Sequence, residues 1–271
     1  MELNRSTYYW RARPAPDNRQ LRGRIEGLVQ RNSGYGYRRI TAQLRREGWV
    51  VNHKKVARMM REQGWQCRRV RRGKPNPSAS PGRHENLTRG LLCTGINQIW
   101  GADITYIRLP EGFVYLAIVL DLYSRRIIGW DLSRSLGTGL VLAAFRQARV
   151  RRRPSPGCIH HSDRGCQYAS EEYLSVLSKA GFRISMSRPG TPYDNAAVES
   201  FMKTLKTEDI EPNDYQTIGE LRRGIRAYIE ANYNRQRLHS SLGYRSPVEF
   251  EAEETSNKQP IAQTNSAICL V

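Results

Sequence analysis

Three acidic residues that are far apart in the chain, Asp103, Asp163 and Glu199, each lie within or at the end of a predicted strand or helix. Between Asp163 and Glu199 lie 35 residues. Carboxylate oxygens are the ligands that Mg²⁺ prefers, and the ion keeps its other positions for water and substrate phosphate. Two such ions about 4 Å apart can activate an attacking oxygen, neutralise a phosphate and stabilise a leaving oxygen. Three carboxylates gathered at one sheet edge would therefore suit metal-dependent cleavage and transfer of phosphodiesters.

The segment around Glu199, RPGTPYDNAAVESFMKTLKTE, predicts a turn followed by a helix with Asp194 as its N-cap. An apolar stripe with spacing i, i+3, i+4 and i+7 is formed by Val198, Phe201, Met202 and Leu205. Glu199, Lys203 and Lys206 fall on the neighbouring face. One interpretation is an ordinary surface ion pair, which stabilises a helix only slightly. The other directs Glu199 at a metal ion and both lysines at DNA phosphates, and the spacing alone leaves both open.

The elements that must position these residues form an α/β pattern. Strands are predicted in IWGADITYIRLP, FVYLAIVLDLY, RRIIGWDL, PGCIHHSD and FRISMS, with helices at 139–149 and 171–180. With the helix of Glu199, the order is β-β-β-α-β-α-β-α. A hairpin meander followed by alternating units favours parallel pairing in its second half, so we expect a mixed five-stranded sheet. A further helix is predicted at 217–233.

The stretch GYGYRRITAQLRREGWVVNHKKVARMMREQGW predicts two short helices joined by a turn. Ile40 and Leu44 share one face of the first helix, and Asn52 is the predicted N-cap of the second. The second helix buries Val56, Met59 and Met60 and would present a basic surface formed by His53, Lys54, Lys55, Arg58 and Arg61. This arrangement suits a helix-turn-helix that contacts DNA phosphates. A helical hairpin with a solvated basic face is the alternative.

Composition and pattern divide the chain into six predicted segments. They are a basic N-terminal arm at 1–33, a helix-turn-helix-like DNA-binding domain at 34–66, a basic linker at 67–98, a catalytic core at 99–208, a C-terminal helical extension at 209–250 and a disordered tail at 251–271.

The charge of the chain favours a polyanionic partner. Lys and Arg number 44 against 25 Asp and Glu, which gives a formal net charge of +19 and a pI near 10.2. The first 92 residues hold 22 of the basic residues and only 6 of the acidic ones. Because such a field most often attracts nucleic acid, we expect DNA binding to concentrate in the front of the chain.

Other function classes find little support in the sequence. The five cysteines form no Cys-x-x-Cys pair, so we expect reduced thiols in a cytosolic protein and no zinc site. The longest apolar run, FVYLAIVL, is too short to cross a bilayer, and no membrane partner is expected. No phosphate-binding loop of the Walker type is present, so nothing indicates ATP use.

Several polar residues near the three acids have a structural and a functional interpretation. Asp121 ends the second strand and could rival the metal ligands, but Ser124 and Arg125 beside it favour turn capping or an ion pair. His160 and His161 could orient Asp163, although satisfied polar residues at a strand end are favoured. Gly165 is expected to permit a tight turn and Asn195 to shape the turn before the helix of Glu199. For Asn234, Arg237 and His239, DNA contact and helix-end packing stay equally open.

Five linked segments resemble a known family. WGADITYI, YLAIVLDLYSRRIIGW, HSDRGCQYAS, SMSRPGTPYDNAAVESFMKTLKTE and YNRQRLHSSLGYRSPVEFE are similar to the second-frame transposase, OrfB, of IS-three-family bacterial insertion sequences. Residues 34–65 resemble its upstream helix-turn-helix. The resemblance runs from about residue 3 to residue 250 and keeps the order of the motifs, while the tail after residue 250 has no counterpart.

The resemblance implies a ribonuclease H-like core shared with retroviral integrases, in which Asp103, Asp163 and Glu199 are catalytic metal ligands. It implies two Mg²⁺ ions, with Mn²⁺ able to replace them, and places Lys203 and Lys206 among DNA contacts. The expected partners are terminal inverted repeats, target DNA, further copies of the chain and a first-frame product, OrfA, joined to it by frameshifting. The expected location is the bacterial cytoplasm, at the nucleoid.

On this resemblance we predict metal-dependent 3′-end cleavage followed by attack of the freed 3′-OH on a second phosphodiester. A ribonuclease H-like nuclease is an alternative that the 35-residue gap and the long C-terminal region disfavour. A non-catalytic or domesticated DNA-binding protein is the other alternative, and the presence of all three acids disfavours it.

Overall fold

The computed structural model describes residues 18–32, 34–65, 84–188 and 195–258. The chain divides into two compact units, residues 1–69 and 70–271.

The described residues of the first unit form three helices, α1 (Arg19–Arg31), α2 (Tyr37–Arg46) and α3 (His53–Glu62). Their buried residues are Leu21, Ile25 and Leu28 in α1, Ile40, Thr41 and Leu44 in α2, and Val56, Met59 and Met60 in α3. The predicted cap is confirmed, since the Asn52 side chain accepts a hydrogen bond from the Lys54 N–H at 2.8 Å. Helix α1 lies within the segment that the sequence analysis described only as a basic arm.

The second unit is built on a five-stranded sheet, as predicted. Its strands are β1 (Ile99–Leu109), β2 (Gly112–Asp121), β3 (Ile127–Ser133), β4 (Ile159–Ser162) and β5 (Arg183–Met186). The spatial order is β3-β2-β1-β4-β5. Pairing is antiparallel between β1, β2 and β3 and parallel between β1, β4 and β5. Three helices connect or follow these strands: α4 (Thr138–Arg152), α5 (Glu171–Lys179) and α6 (Ala196–Leu205).

Each face of the sheet has its own apolar core. Helix α6 covers one face with the predicted stripe, all buried: Val198, Phe201, Met202 and Leu205. Helices α4 and α5 cover the other face, where Phe145 contacts the rings of Trp100, Tyr173 and Phe182. The central strand β1 therefore lies between two packed layers, and a side chain on it is held rigidly.

The C-terminal extension packs into the first of these cores. It contains α7 (Ile218–Ala227), capped by Thr217, a π-helical turn (Tyr228–Tyr233) and α8 (Pro247–Lys258). Leu221, Ile225, Tyr228, Ile229 and Tyr233 are buried in the same cluster as α6. The extension is thus an integral part of the second unit, because it completes the layer that holds α6 on the sheet.

The prediction that the tail is disordered from residue 251 is wrong for residues 251–258, which continue α8. Ser246 and Glu249 cap this helix reciprocally through side-chain to backbone hydrogen bonds. Glu251 is buried and its carboxylate pairs with Arg126 at 2.5 Å and with Arg152 at 2.7 Å. These pairs anchor the polar helix to the core. Residues 259–271 lie outside the described part of the chain.

Among the residues that the structure describes, no helix combines the length and the apolarity needed to cross a lipid bilayer.

Candidate active site

Asp103 lies on the central strand β1, opposite Ile118 of β2, and is half-buried. Its carboxylate Oδ1 accepts a hydrogen bond from the Ile104 N–H at 2.8 Å. Because β1 is packed on both faces, the position of this carboxylate is fixed by the sheet.

Asp163 lies immediately after β4, the parallel neighbour of β1. Gly101 pairs with His161 in this register, so Asp163 continues β4 at the level of Asp103. The Gly165 N–H donates to Asp163 Oδ1 at 3.0 Å. A Cβ atom at Gly165 would lie 3.1 Å from that oxygen. A residue larger than glycine at position 165 would therefore crowd the Asp163 carboxylate.

Glu199 lies in the first turn of α6, whose start is held directly on β1. The Asn195 side-chain amide donates to the Ala102 carbonyl at 3.1 Å. A Cβ atom at Gly101 would lie only 2.7 Å from Val198 Cγ2, so the strand and the helix approach as closely as glycine allows. This contact directs the first turn of α6, and with it Glu199, toward Asp103. The predicted cap residue Asp194 lies outside the described residues.

Asp103 interacts electrostatically with both of the other acids. Burial and the Asp163 charge, with a smaller contribution from Glu199, raise the pKa of Asp103 to about 7, while Lys206 opposes the shift. In the described part of the chain, no three His, Cys, Asp or Glu side chains are grouped closely enough to hold one metal ion. The fold thus places Asp103 within the electrostatic influence of Asp163 and of Glu199, without gathering the three carboxylates around one point.

Two buried histidines of β4 precede Asp163. The imidazole nitrogens of His161 lie 2.9 Å and 3.1 Å from the hydroxyl oxygens of Ser185 and Ser187. His160 contacts the Tyr173 hydroxyl at 3.0 Å, and burial together with His161 lowers its pKa to about 3. Both histidines are buried and hydrogen-bonded, in agreement with the structural interpretation that the sequence favoured.

Tyr168 is a residue of this region that the sequence analysis did not identify. It is buried, and its hydroxyl has no hydrogen-bond partner within the described residues. Burial raises its pKa well above the ordinary value, and the charges of Asp103 and Asp163 add to the effect. Tyr168 is therefore near enough to both aspartates for their charges to affect its hydroxyl group.

Asp121 has the capping role that its neighbours suggested. It is fully buried and accepts hydrogen bonds from the backbone N–H groups of Asn97, Tyr123 and Ser124. Its charge partner is Arg152, at 3.6 Å, rather than the adjacent arginine. A carboxylate saturated in this way is not available as a ligand for substrate or metal.

The two lysines that follow Glu199 differ in surroundings. Lys203 is exposed on α6. Lys206 begins a π-helical turn (Lys206–Ile210), and its Nζ lies 4.9 Å from the centre of the Tyr106 ring. The buried Arg237 fixes this turn, since its guanidinium makes two 2.8 Å hydrogen bonds to the Glu208 carboxylate. This turn thereby holds the Lys206 ammonium where it interacts favourably with the charge of the Asp103 carboxylate.

Asn234, Arg237 and His239, which belong to the segment YNRQRLHSSLGYRSPVEFE and are called the C-terminal motif residues below, pack within the protein. Asn234 exchanges two 3.0 Å hydrogen bonds with the backbone of Ile127. Arg237 pairs with Glu208, and His239 packs against the Tyr233 ring. All three motif residues are buried, which favours packing over DNA contact for this motif.

In the first unit, the basic face of α3 is accessible. Lys54, Arg58 and Arg61 are exposed and Lys55 is partly exposed. Arg58 makes an exposed pair with Glu62 at 3.7 Å, which leaves it available to other partners.

The sequence matches family models along most of its length. Residues 94–192 and 180–247 match two models described as integrase core domain, and residues 16–73 match an HTH-like domain. These matches confirm the predicted integrase-type core and helix-turn-helix.

Curated relatives match at high identity. The transposase for insertion sequence element IS904 of Lactococcus lactis is 40% identical over 235 residues, which cover 85% of this chain and 93% of that protein. Transposase InsF for IS3A of Escherichia coli is 40% identical over 230 residues, 84% of this chain and 80% of that one. A chain of the simian T-cell lymphotropic virus intasome in complex with PP2A regulatory subunit B56 gamma aligns with a TM-score of 0.49 at 16% identity, covering 91% of this chain and 79% of that one. The identity to these insertion-sequence proteins, over most of both chains, shows that this chain belongs to the IS3 family of transposases.

Proposed function

We propose that this transposase cleaves the 3′ ends of its element and joins them to new DNA at one site formed by Asp103, Asp163 and Glu199. Two observations support the proposal: the register that pairs Gly101 with His161 sets Asp163 level with Asp103, and the charges of Asp163 and Glu199 both contribute to the raised pKa of Asp103. Because the three acids are far apart in the sequence, local ion pairs such as Glu199 with Lys203 do not explain why the fold places them near one another.

The donor set fits divalent cations. Like charges placed together in a half-buried site repel each other, and a hard cation relieves that repulsion. Asp103, Asp163 and Glu199 would hold two Mg²⁺ ions, and Mn²⁺ would substitute for them. When bound, such ions supply Lewis-acid activation of an attacking oxygen and charge relief on the phosphate.

The chain's own residues position the substrate. Lys206, held by the turn that Arg237 fixes, and the exposed Lys203 would bind DNA phosphates beside the carboxylates. The basic face of α3, with Lys54, Lys55, Arg58 and Arg61, would bind the phosphate backbone of the terminal repeats. The two units thus divide the work between recognition of the ends and strand transfer.

We expect Asp163→Asn to abolish joining of terminal-repeat DNA in Mg²⁺ while leaving its affinity for that DNA unchanged. The substitution keeps the size of the side chain and removes the charge. Asp214→Asn is the matched control, since Asp214 is an exposed acid with no role in the site. Joining measured on labelled ends, alongside gel-shift binding, tests the assignment. Joining that persists in Asp163→Asn would reject it.

We also propose that the chain acts on DNA in the bacterial cytoplasm as an oligomer, with the product of an upstream frame contributing to end binding. The family resemblance supports this, since the first frame commonly adds a helix-turn-helix and a coiled coil. Gel shifts on terminal repeats should show tighter binding for the frame-fused protein than for this chain alone. Equal binding would argue against an upstream contribution.

A further inference from the structure

Two aromatic side chains of the catalytic unit are exposed. Tyr106 is 62% and Phe113 47% exposed, whereas every other Phe, Tyr and Trp in the described residues is at least partly buried. The two rings contact each other edge to face, with centroids 5.7 Å apart and planes at 88°. An exposed, touching pair of large apolar rings is characteristic of a binding surface.

Cations flank both rings. Arg108 pairs directly with Phe113 across the β1–β2 hairpin, and its Cζ lies 5.7 Å from the Phe113 ring centre. Lys206 Nζ lies 4.9 Å from the Tyr106 ring centre. The acid in the hairpin turn, Glu111, is already paired with Arg134. The surface therefore combines two exposed aromatic rings with two cations, each of which lies over one face of a ring.

This surface adjoins the catalytic carboxylates. Tyr106 follows Asp103 by three residues of β1, which corresponds to about 10 Å along a strand. Alternation places their side chains on opposite faces, but β4 pairs with β1 only as far as Gly101. Beyond that point Lys206 reaches over the strand edge, where it covers the Tyr106 ring and also interacts with the charge of Asp103.

We infer that Tyr106 and Phe113 stack unpaired DNA bases next to the reaction centre, while Arg108 and Lys206 hold the adjoining phosphates. Aromatic faces interleaved with cations are the general means of holding single-stranded nucleic acid, because every base has a π-face. A fully paired duplex buries those faces. A protein partner would also suit exposed rings, but the flanking cations favour a polyanion. The inference rests on the proposed DNA-joining function and assigns frayed strand ends as the ligand of this surface.

The test compares a blunt terminal-repeat duplex with the same duplex carrying a short single-stranded 3′ overhang that contains 2-aminopurine. Binding of the full chain is measured without divalent cation, so that no DNA is cut. We expect the overhang to bind at least about fivefold tighter and its fluorescence to be quenched by stacking. In the double variant Tyr106→Leu/Phe113→Leu, both the preference and the quenching should disappear, with blunt-duplex affinity unchanged. The pair Tyr106→Phe/Phe113→Tyr should retain them.

Val150→Ala is the control, since Val150 is 71% exposed on α4 and distant in sequence from the surface. Three outcomes would overturn the inference: no overhang preference in the natural chain, an unchanged preference in the Leu variant, or an equal loss on both DNAs. Self-association without DNA that the Leu variant abolishes would instead identify a protein interface. If the natural chain stacks the overhang but cannot join DNA, the proposed function is contradicted while the base-binding surface is supported.

Discussion

At the scale of single residues, the carboxyl group of Asp103 is the most perturbed member of the proposed site. Burial and the charges of Asp163 and Glu199 raise its pKa to about 7, so the charged form is destabilised. At pH 8 the group is ionised in the folded protein in spite of this repulsion. A cation between the carboxylates would remove the unfavourable contribution, and so would neutralisation of one of them.

We therefore predict that Asp103→Asn, without divalent cations at pH 8, melts a few degrees above the natural chain. A gain of about 1 kcal/mol corresponds to roughly 2–4 °C for a domain of this size. Added Mg²⁺ should raise the melting temperature of the natural chain and leave that of the variant nearly constant. Thermal unfolding with and without Mg²⁺ measures both effects. Equal stabilisation of the two proteins by Mg²⁺ would contradict the assignment of Asp103 as a ligand.

Residue types singled out Asp103, Asp163 and Glu199 as candidates, because the chemistry requires carboxylates. The spacing alone left the role of Glu199 open, and the family resemblance is what favoured it as a ligand. The capping role of Asp121 was also predictable from the turn that follows it. Tyr168 was not, since a tyrosine after a strand has no distinctive pattern. That its buried hydroxyl finds no hydrogen-bond partner among the described residues, and is affected by the charges of the aspartates, is apparent only when the chain is folded.

At the scale of elements, the contact between β1 and α6 sets the position of Glu199. A methyl group at Gly101 would lie 2.7 Å from Val198 Cγ2 and 3.0 Å from Leu122 Cδ2. We predict that Gly101→Ala destabilises the chain by about 1–3 kcal/mol through overpacking and lowers joining activity because α6 is displaced. Joining assays and chemical denaturation measure the two losses.

The second change Val198→Ala should restore part of both losses, since it removes the clashing methyl groups. This coupling is the expected result for residues in direct contact. Gly139→Ala is the control, because a Cβ atom there meets nothing within 4 Å. Strictly additive effects of Gly101→Ala and Val198→Ala would show that the two positions do not define the helix placement.

Most elements of the catalytic unit were predictable because apolar residues repeat with the periods of strands and helices. Helix α1 was missed because it contains Gly23, Gly27 and several arginines, which weaken a pattern that Leu21, Ile25 and Leu28 do carry. The ordered start of the tail was missed for another reason. The helix is polar, and its anchor is an ion pair with Arg152, 99 residues earlier in the chain, which no local pattern reveals.

At the scale of the whole molecule, the basic charge is concentrated in the first 92 residues. If α3 contacts phosphates, each lysine or arginine contact should contribute to the salt dependence of binding. We predict that Lys54→Ala or Arg58→Ala weakens binding to all DNA sequences alike and reduces the slope of log K against log salt by about 1. Lys179→Ala, an exposed lysine of the other unit, is the control. A slope unchanged by the α3 substitutions would exclude this face from DNA binding.

The buried acid Glu251 links the last helix of the described chain to the body of the second unit. Burial alone would raise the pKa of Glu251, but hydrogen bonds and charge from Arg152, with help from Ser124 and Arg126, hold it below the ordinary value. A carboxyl whose pKa is lowered by folding stabilises the protein fully above its unfolded pKa of about 4.3. That contribution is lost as the pH falls through the folded pKa.

Glu251→Gln should therefore destabilise the chain by about 3 kcal/mol at pH 7, because it removes the nearer of the two carboxylates that pair with the buried Arg152 and leaves only Asp121. The difference from the natural chain should shrink as the pH falls below about 4, where Glu251 itself becomes protonated. Glu253→Gln is the matched control two residues away, since its pair with Arg245 is exposed and contributes little. Denaturant unfolding at pH 7 and pH 4 measures both variants. A Glu251→Gln chain as stable as the natural one at pH 7 would show that the last helix is held by its apolar contacts alone.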